Sequence, residues 1–368
     1  MKILLDSRMI NNSGVGTYIR NLLKNYEKSN ENIYVYALTN NSVYEISGKK
    51  SKIEIVEVKY STPIYSIREQ IVLPYYINKI KPDLVHFPNF NVSYFLKTPF
   101  VVTIHDLIYY LHADACPNKI GYLYARVMMK HAARKAKLII TDSMYSKKDI
   151  VQNLNVSEEK VHVINPGINK NYLHVENSQN ILKKYKLPAN YIFYIGNHEP
   201  RKNIMGIITA YSKSKYRNDY FLVIGGKKDL RRKDIYNIIE NLKLEKRVIF
   251  TDYIEEEDLP AIYSAAKLFI FPSFYEGFGL PPLEAMACGT PVISSNASSL
   301  PEILGDASIF VNPTNIDELT GAIDNILNNK NLADDLIKKG YEQVKKYSWD
   351  TAAIKTIDIY KNALGYIK

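Results

Sequence analysis

Short runs rich in Val, Ile, Phe and Tyr alternate with longer stretches of helical period from the start of this 368-residue chain to near its end. Successive strands separated by helices cannot pair through tight hairpins, so the pattern commits the chain to βα units and mainly parallel sheets. In the first half the runs fall at 2–6, 33–38, 52–58, 84–87, 100–106, 137–143 and 161–167. A second series follows at 191–197, 220–226, 247–253, 268–273, 291–295 and 308–313, and beyond it the pattern is helical to the end. The fold class read from this is α/β, with two Rossmann-like, doubly wound sheets.

The length supports two cores, because one hydrophobic core stops growing at about 250–300 residues. Turn chemistry at Asn165, Pro166 and Gly167 coincides with a loss of periodicity, which places the boundary there. The expected domains are 1–167, joined by a terminal helix within 350–368, and 168–349. The two cysteines, Cys116 and Cys288, form no CxxC pair, so neither a disulfide framework nor a zinc site is expected. The N-terminus reaches Asp6 before an apolar signal region could form, and no run approaches the roughly 18 apolar residues of a spanning helix. A cytoplasmic protein, free or peripheral on the inner face of the membrane, is expected.

The formal charge of +10 is unevenly spread, since residues 1–167 carry 22 basic and 14 acidic side chains and 168–368 carry 26 and 24. That asymmetry allows an anionic partner for the first half, nucleic acid or a lipid surface, and equally a lysine-rich solvated face. Between Asp114 and Asp142 there is no acid, and Lys119, Arg126, Lys130 and Arg134 accumulate. Arg126, Lys130 and Arg134 share one helix face by their four-residue spacing, which fits an anionic membrane carrying a lipid-linked acceptor as well as plain solvation.

In open α/β sheets ligands bind beyond the carboxyl ends of the strands, so unusual chemistry is sought directly after each one. After the strand at 268–273 comes FYEGFGLPPLEAMACGTPVI. Glu276 falls in the loop and Glu284 on the first turn of a helix opened by Pro281 and Pro282. Two carboxylates there can accept hydrogen bonds from sugar hydroxyls, while Gly277 and Gly279 let the amides near Phe278 and Leu280 approach an anion. The alternative is a dipole-complementing Glu284 and a solvated Glu276.

After the strand at 191–197, Arg201 and Lys202 precede a helix start at Asn203 and make a candidate diphosphate clamp or a surface basic pair. Gly14 and Gly16 follow the first strand, ahead of a helix expected from about Thr17, and alone read as a plain βα turn. His105 and Asp106 close the strand at 100–106. Asp106 could fix the histidine tautomer there.

As a whole EGFGLPPLE, followed by AMACGTPVI, resembles the signature of retaining family 4 glycosyltransferases of the GT-B fold, a Glu, seven residues and a Glu. YIGNHEPRKN is similar to the segment in which that family's Arg and Lys grip the donor diphosphate, with one departure: Asn197 stands where many members carry an arginine. The resemblance implies two domains with an interdomain cleft and a C-terminal helix crossing back to the first. It implies an acceptor-binding first domain and a nucleotide-sugar-binding second.

It implies a transferase moving a hexose from a nucleotide-diphosphate sugar, GDP-mannose or a UDP-sugar, to a glycan or lipid-linked acceptor. The anomeric configuration is retained, with no metal or other cofactor. On the same basis Glu284 meets the ribose, Arg201 and Lys202 the diphosphate, and Phe278 to Leu280 the phosphates or sugar. Glu276 meets sugar hydroxyls, Gly14 and Gly16 lie against the phosphates, and His105 approaches the donor sugar. The EPRKN form resembles bacterial mannosyltransferases that build surface polysaccharides. Two rivals are a sugar-nucleotide 2-epimerase of the same fold, which needs a different set of acids and bases, and a nucleic-acid-binding protein, for which no RNA or DNA motif is present.

Overall fold

The structure, a computed structural model, describes residues 1–12, 14–28, 32–39, 53–57 and 62–366. Its chain divides after Gly167 into two compact units, Met1–Gly167 with Ser348–Lys368, and Ile168–Tyr347. Each is a parallel sheet flanked by helices.

Among the described residues the first unit holds seven strands: β1 Lys2–Asp6, β2 Tyr34–Thr39, β3 Ile53–Glu57, β4 Leu84–Phe87, β5 Phe100–Thr103, β6 Ile139–Thr141 and β7 Val161–Val163. They lie in the order β3-β2-β1-β4-β5-β6-β7, all parallel. The order reverses direction between β1 and β4. Strands such as β4 and β5 are buried at every position, which explains why they read as continuous apolar runs rather than as an alternation. The expected third strand had its ends at 52 and 58, and those two positions lie outside the described residues.

The second unit holds β8 Tyr191–Ile195, β9 Phe221–Gly225, β10 Val248–Phe250, β11 Leu268–Phe271, β12 Val292–Ser295 and β13 Ser308–Val311. Their order is β10-β9-β8-β11-β12-β13, again parallel throughout. Here the direction of winding reverses between β8 and β11, which pair through Leu268 with Ile192 and Phe269 with Phe193. The core of this unit is aromatic, with Tyr191, Phe193, Tyr263, Phe269 and Phe271 fully buried around the central strands.

Both folds are α/β and doubly wound, as the alternation dictates. The expected strands overran at their carboxyl ends: the run at 100–106 stops at Thr103, and that at 268–273 at Phe271. The overrun has a local cause. The residues that follow, Ile104 to Asp106 and Pro272 with Ser273, leave the ladder to begin the loops at the sheets' carboxyl edges.

The terminal helix Trp349–Ala363 packs in the first unit. Its Tyr360 hydroxyl lies 2.7 Å from the Tyr26 hydroxyl and 2.6 Å from His86 Nδ1, and His86 Nε2 lies 2.8 Å from Thr103 Oγ1. Burial, with His105 nearby, holds the His86 imidazole neutral by lowering its pKa to about 3. A neutral ring has one donor and one acceptor nitrogen, so it can join two hydroxyls without a buried charge. Buried Trp349, Ala353 and Ile357 complete this seam.

Candidate active site

In the second unit the loops after β8 and β11 flank the place where the winding reverses, which is where an open α/β sheet leaves a crevice. The loop after β8 carries Arg201 and Lys202 in a single 3₁₀ turn, Pro200–Lys202. That turn ends on Asn203, which adopts a left-handed backbone and begins the helix Ile204–Lys213. The Asn203 side chain does not cap its helix. It donates instead to Pro272 O and Pro313 O at 3.2 and 2.7 Å, tying the β8 loop to the ends of two other strands.

The loop after β11 brings Glu276 onto this pair. Lys202 Nζ lies 2.6 Å from Glu276 Oε1, and Arg201 Nη1 lies 3.1 Å from Glu276 Oε2. Arg201 also donates from Nη1 to Tyr275 O at 3.2 Å and from Nε to Glu199 Oε2 at 2.7 Å. Glu276 and Lys202 are buried.

Burial by itself would raise the Glu276 pKa, but the charges of Lys202 and Arg201 outweigh it and hold the carboxyl below its ordinary range. Burial also lowers the Lys202 pKa, with Arg201 adding to the effect and Glu276 opposing it. The arrangement is a compact set of two basic and two acidic side chains at a sheet's carboxyl edge.

The Glu276 loop is pinned from below. Glu276 N donates to Ser298 Oγ at 2.9 Å, and Ser299 Oγ donates to Glu276 O at 2.9 Å and to Phe278 O at 3.2 Å. Gly279 then precedes the helix Leu280–Ala287 with φ of +105°, and a Cβ there would stand 2.7 Å from Leu300 Cδ2. Only glycine suits that position. Pro281 and Pro282 lack N–H groups, so the donors left at this helix start come from Leu280 and the loop before it.

Helix onset at Leu280 puts Glu284 just beyond the first turn, a residue or so deeper than the proline pair suggested. Its surroundings differ from those of Glu276. The Tyr263 hydroxyl donates to Glu284 Oε2 at 3.1 Å, and Tyr172 hydrogen-bonds it as well. Burial, reinforced by Glu256, lifts this carboxyl to about 7 against the pull of both hydroxyls. The two glutamates of the motif thus have opposite electrostatic characters: Glu276 is ionised among cations, and Glu284 is poised near neutrality among phenols.

In the first unit Gly14 and Gly16 belong to the helix Gly14–Lys28 rather than to a loop before Thr17. The helix begins three residues early, and Gly16 in its first turn packs against the Met9–Ile10 backbone, where a Cβ would meet Ile10 O at 2.5 Å. Gly14 faces open space. His105 lies two residues past the end of β5. Its partner is Asp142 at the end of β6, with Nδ1 and Oδ2 2.7 Å apart, whereas Asp106 turns back to accept from Ile108 N.

The neighbouring strand end outcompetes the adjacent residue because Asp106 is engaged by its own turn. His105 Nε2 lies 3.2 Å from Pro88 O, so both ring nitrogens face acceptors and both are satisfied only when protonated. Burial opposes that cation, but Asp142 prevails and the pKa is raised. The Tyr18 ring packs edge-on at 5.0 Å.

Sequence reading missed Asp142, Glu199, Tyr172, Tyr263, Ser298 and Ser299. Asp142 and Glu199 do carry a signal, since each is an acid within a few residues of a strand's carboxyl end. Tyr172 and Tyr263 carry none in so tyrosine-rich a chain.

Two α/β units, each a doubly wound parallel sheet with charged groups at its carboxyl edge, have the architecture of the GT-B fold. Residues 12–172 match the description Glycosyltransferase Family 4, and residues 177–343 match Glycosyl transferases group 1. O-antigen chain mannosyltransferase B of Escherichia coli is 33% identical over 286 residues, 76% of this chain and 74% of that protein. The chain belongs to family 4 of the glycosyltransferases, among relatives that include bacterial O-antigen mannosyltransferases.

The serotype-specific mannosyltransferase WbdA of E. coli is 30% identical over 315 residues, 78% of this chain but 38% of that longer protein. By structure the chain is similar to sucrose-phosphate synthase of Thermosynechococcus elongatus, with TM-score 0.80, 22% identity, and 100% and 99% of the two chains covered. It is also similar to HepE of Anabaena, solved in complex with UDP-glucose, with TM-score 0.77, 18% identity, and 98% and 100% covered.

Proposed function

We propose that this glycosyltransferase moves a hexose, mannose by preference, from a nucleotide-diphosphate sugar to a glycan or lipid-linked acceptor in surface-polysaccharide synthesis, with retention of anomeric configuration. The observation that carries the reading is the convergence of Arg201, Lys202 and Glu276 where the second sheet changes its winding direction. The preference for mannose rests on the relatives that transfer it, O-antigen chain mannosyltransferase B and WbdA among them.

In this reading the diphosphate takes up hydrogen bonds from Arg201 and Lys202, and the amides near Phe278 and Leu280 add neutral donors. Those cations neutralise the charge that develops as the sugar–phosphate bond breaks, so the chemistry needs no metal. Glu276 accepts from sugar hydroxyls, and Glu284 from the ribose pair. In the first unit Gly14 and Gly16 shape the helix start on the acceptor side, Gly14 facing open space, and His105 Nε2 donates to substrate by giving up its 3.2 Å contact with Pro88 O. The acceptor hydroxyl attacks the anomeric carbon on the face the phosphate leaves. A C–O bond to the acceptor forms, the bond to the phosphate oxygen breaks, and the acceptor's proton passes to that oxygen.

The test is a thermal-shift screen of nucleoside diphosphates and sugar nucleotides, followed by transfer to an oligomannoside acceptor and determination of the product anomer. A ligand bound by the native state alone at about 100 times its Kd adds about 2.7 kcal/mol of stability. Stabilisation by GDP or GDP-mannose and an α-linked mannosyl product are expected. Interconversion of the free donor without acceptor, or an inverted product, would overturn the reading.

A further inference from the structure

The turn that carries Arg201 and Lys202 is fastened on two sides. Towards β11, Asn203 reaches Pro272 O and Pro313 O, and Phe274 N donates to Arg201 O at 2.8 Å. Towards β9 the ladder continues one step past β8, with Gly196 N donating to Gly225 O at 3.2 Å, and the loop after β9 reaches back to residue 198 through Arg232. Within the turn Glu199 joins two side chains, accepting from Asn197 Nδ2 at 2.8 Å and from Arg201 Nε at 2.7 Å. A shift of residues 197–199 therefore carries the Arg201 guanidinium with it.

His198 stands in the middle of that segment, and its side chain does not fasten it. The residue is 3% exposed and its ring lies 5.9 Å from that of Phe250, yet among the described residues neither Nδ1 nor Nε2 has a hydrogen-bond partner. Burial and the Arg232 charge lower its pKa, so the neutral ring forms no ion pair with the acids near it, Asp229 and Asp252. The directed contact at this residue falls to the backbone, where Arg232 Nη1 donates to His198 O.

Arg232 is itself rigidly held. It stands just before the helix Lys233–Asn241, and its backbone N donates to Asp229 O at 3.0 Å. Asp234 grips the guanidinium, with Nε to Oδ1 at 2.9 Å and Nη2 to Oδ2 at 2.6 Å, which leaves Nη1 for the carbonyl. A lysine has no such planar fork and cannot serve carboxylate and carbonyl in one fixed geometry. The Arg232 side chain is 17% exposed, whereas that of Arg231, paired with Asp229 in the same loop, is 90% exposed. Under the turn, the buried Tyr194 hydroxyl donates to Asn197 O at 3.1 Å and feels the charges of Glu276, Arg201, Glu199 and Arg232 together.

We infer that Arg232, oriented by Asp234, is a positioning residue for the donor diphosphate: through His198 O it sets the turn that presents Arg201 and Lys202. The inference rests on the donor reading above and requires no contact between Arg232 and the ligand. Groups that neutralise charge in a transition state work only when preset to within about 0.5 Å, so a loosened turn weakens diphosphate binding and slows transfer together.

The experiment is calorimetric titration of the full chain with GDP and with UDP, alongside steady-state transfer from GDP-mannose and UDP-glucose. Arg232→Ala should weaken nucleoside diphosphate binding and lower kcat, each on the order of tenfold, with the acceptor KM and the midpoint of thermal unfolding at the parent values. Asp234→Asn should move the same quantities in the same direction by less, and Arg232→Lys should recover part of the loss. Arg231→Ala removes an equal charge one residue away and should change none of them. Parent-like diphosphate affinity and kcat in both Arg232→Ala and Asp234→Asn would overturn the inference. So would an equal loss in Arg231→Ala, which would make the effect one of net charge, or a loss that follows the fraction of protein unfolded. A parent chain that binds neither nucleotide overturns the donor reading and this inference with it, so the two failures are told apart.

Discussion

Lys202 and Glu276 lie 74 residues apart in sequence and 2.6 Å apart in space, joined across the two loops that flank the β8–β11 pair. Both are buried, so each is the other's main electrostatic justification. Lys202→Ala should therefore do more than remove a ligand contact. It strands a buried carboxylate with Arg201 alone and should cost about 3 kcal/mol of stability, the lower end for breaking a buried pair. Chemical denaturation measures that cost. The double variant Lys202→Met with Glu276→Gln should recover most of the lost stability while transfer stays abolished, which separates the folding role from the catalytic one.

The Glu284 carboxyl, lifted to about 7, makes nucleotide affinity dependent on pH. An ionised carboxylate can accept two ribose hydroxyls and a protonated one cannot, so affinity for the nucleoside diphosphate should fall as pH drops through 7. Calorimetric titration between pH 5.5 and 8.5 reads this, and Glu284→Gln should bind weakly with a flat profile. Stability runs the other way. With the folded pKa above the unfolded value, this group favours folding at low pH, and that contribution fades as pH rises from about 4.5 to about 7. Glu284→Gln should accordingly raise the midpoint of thermal unfolding at pH 8 and change it little at pH 4.

His105 owes its raised pKa to Asp142, since burial alone acts in the opposite direction. Asp142→Asn should bring the His105 pKa below its ordinary value, visible as an upfield-shifted ring titration in NMR. In the parent protein the stabilisation from this pair is complete below about pH 6.5 and is lost as pH rises through the folded pKa. If His105 offers an N–H to the substrate, kcat in the variant should decline at lower pH than in the parent while the fold is preserved.

Gly279 carries φ of +105° against the Leu300 side chain, so Gly279→Ala combines backbone strain with a clash. A loss of about 1–3 kcal/mol is expected. Because Gly279 starts the helix that follows Glu276, donor affinity should fall more than stability does. Parent-like donor binding in this variant would show that the helix start takes no part in the site.

Much of this was legible in the residues. Every strand of both sheets fell on a β-rich run, and strands such as β4 and β5 stood out because both of their faces are covered. The EGFGLPPLE and EPRKN segments were legible for a different reason: glycines, prolines and charges at fixed spacing have few explanations at a strand's end. Partnerships were harder. Asp106 stood next to His105 in sequence and was the natural partner to name, but its side chain caps the following turn, and the strand order β5-β6 supplied Asp142 instead. The start of the first helix was also hidden, because Gly16 reads as a helix breaker until the Ile10 backbone is seen against it.

By itself the sequence determined the elements, their parallel pairing and the chemical types available at the sheet edges, since periodicity, turn residues and charge are local quantities. Only the tertiary structure decided which groups share an environment. Glu276 and Glu284 are the same side chain eight residues apart, and nothing local separates an ionised carboxylate among cations from one held near pH 7 among tyrosine hydroxyls. That difference comes from which distant loops fold over each of them, because desolvation and charge act through space and not along the chain.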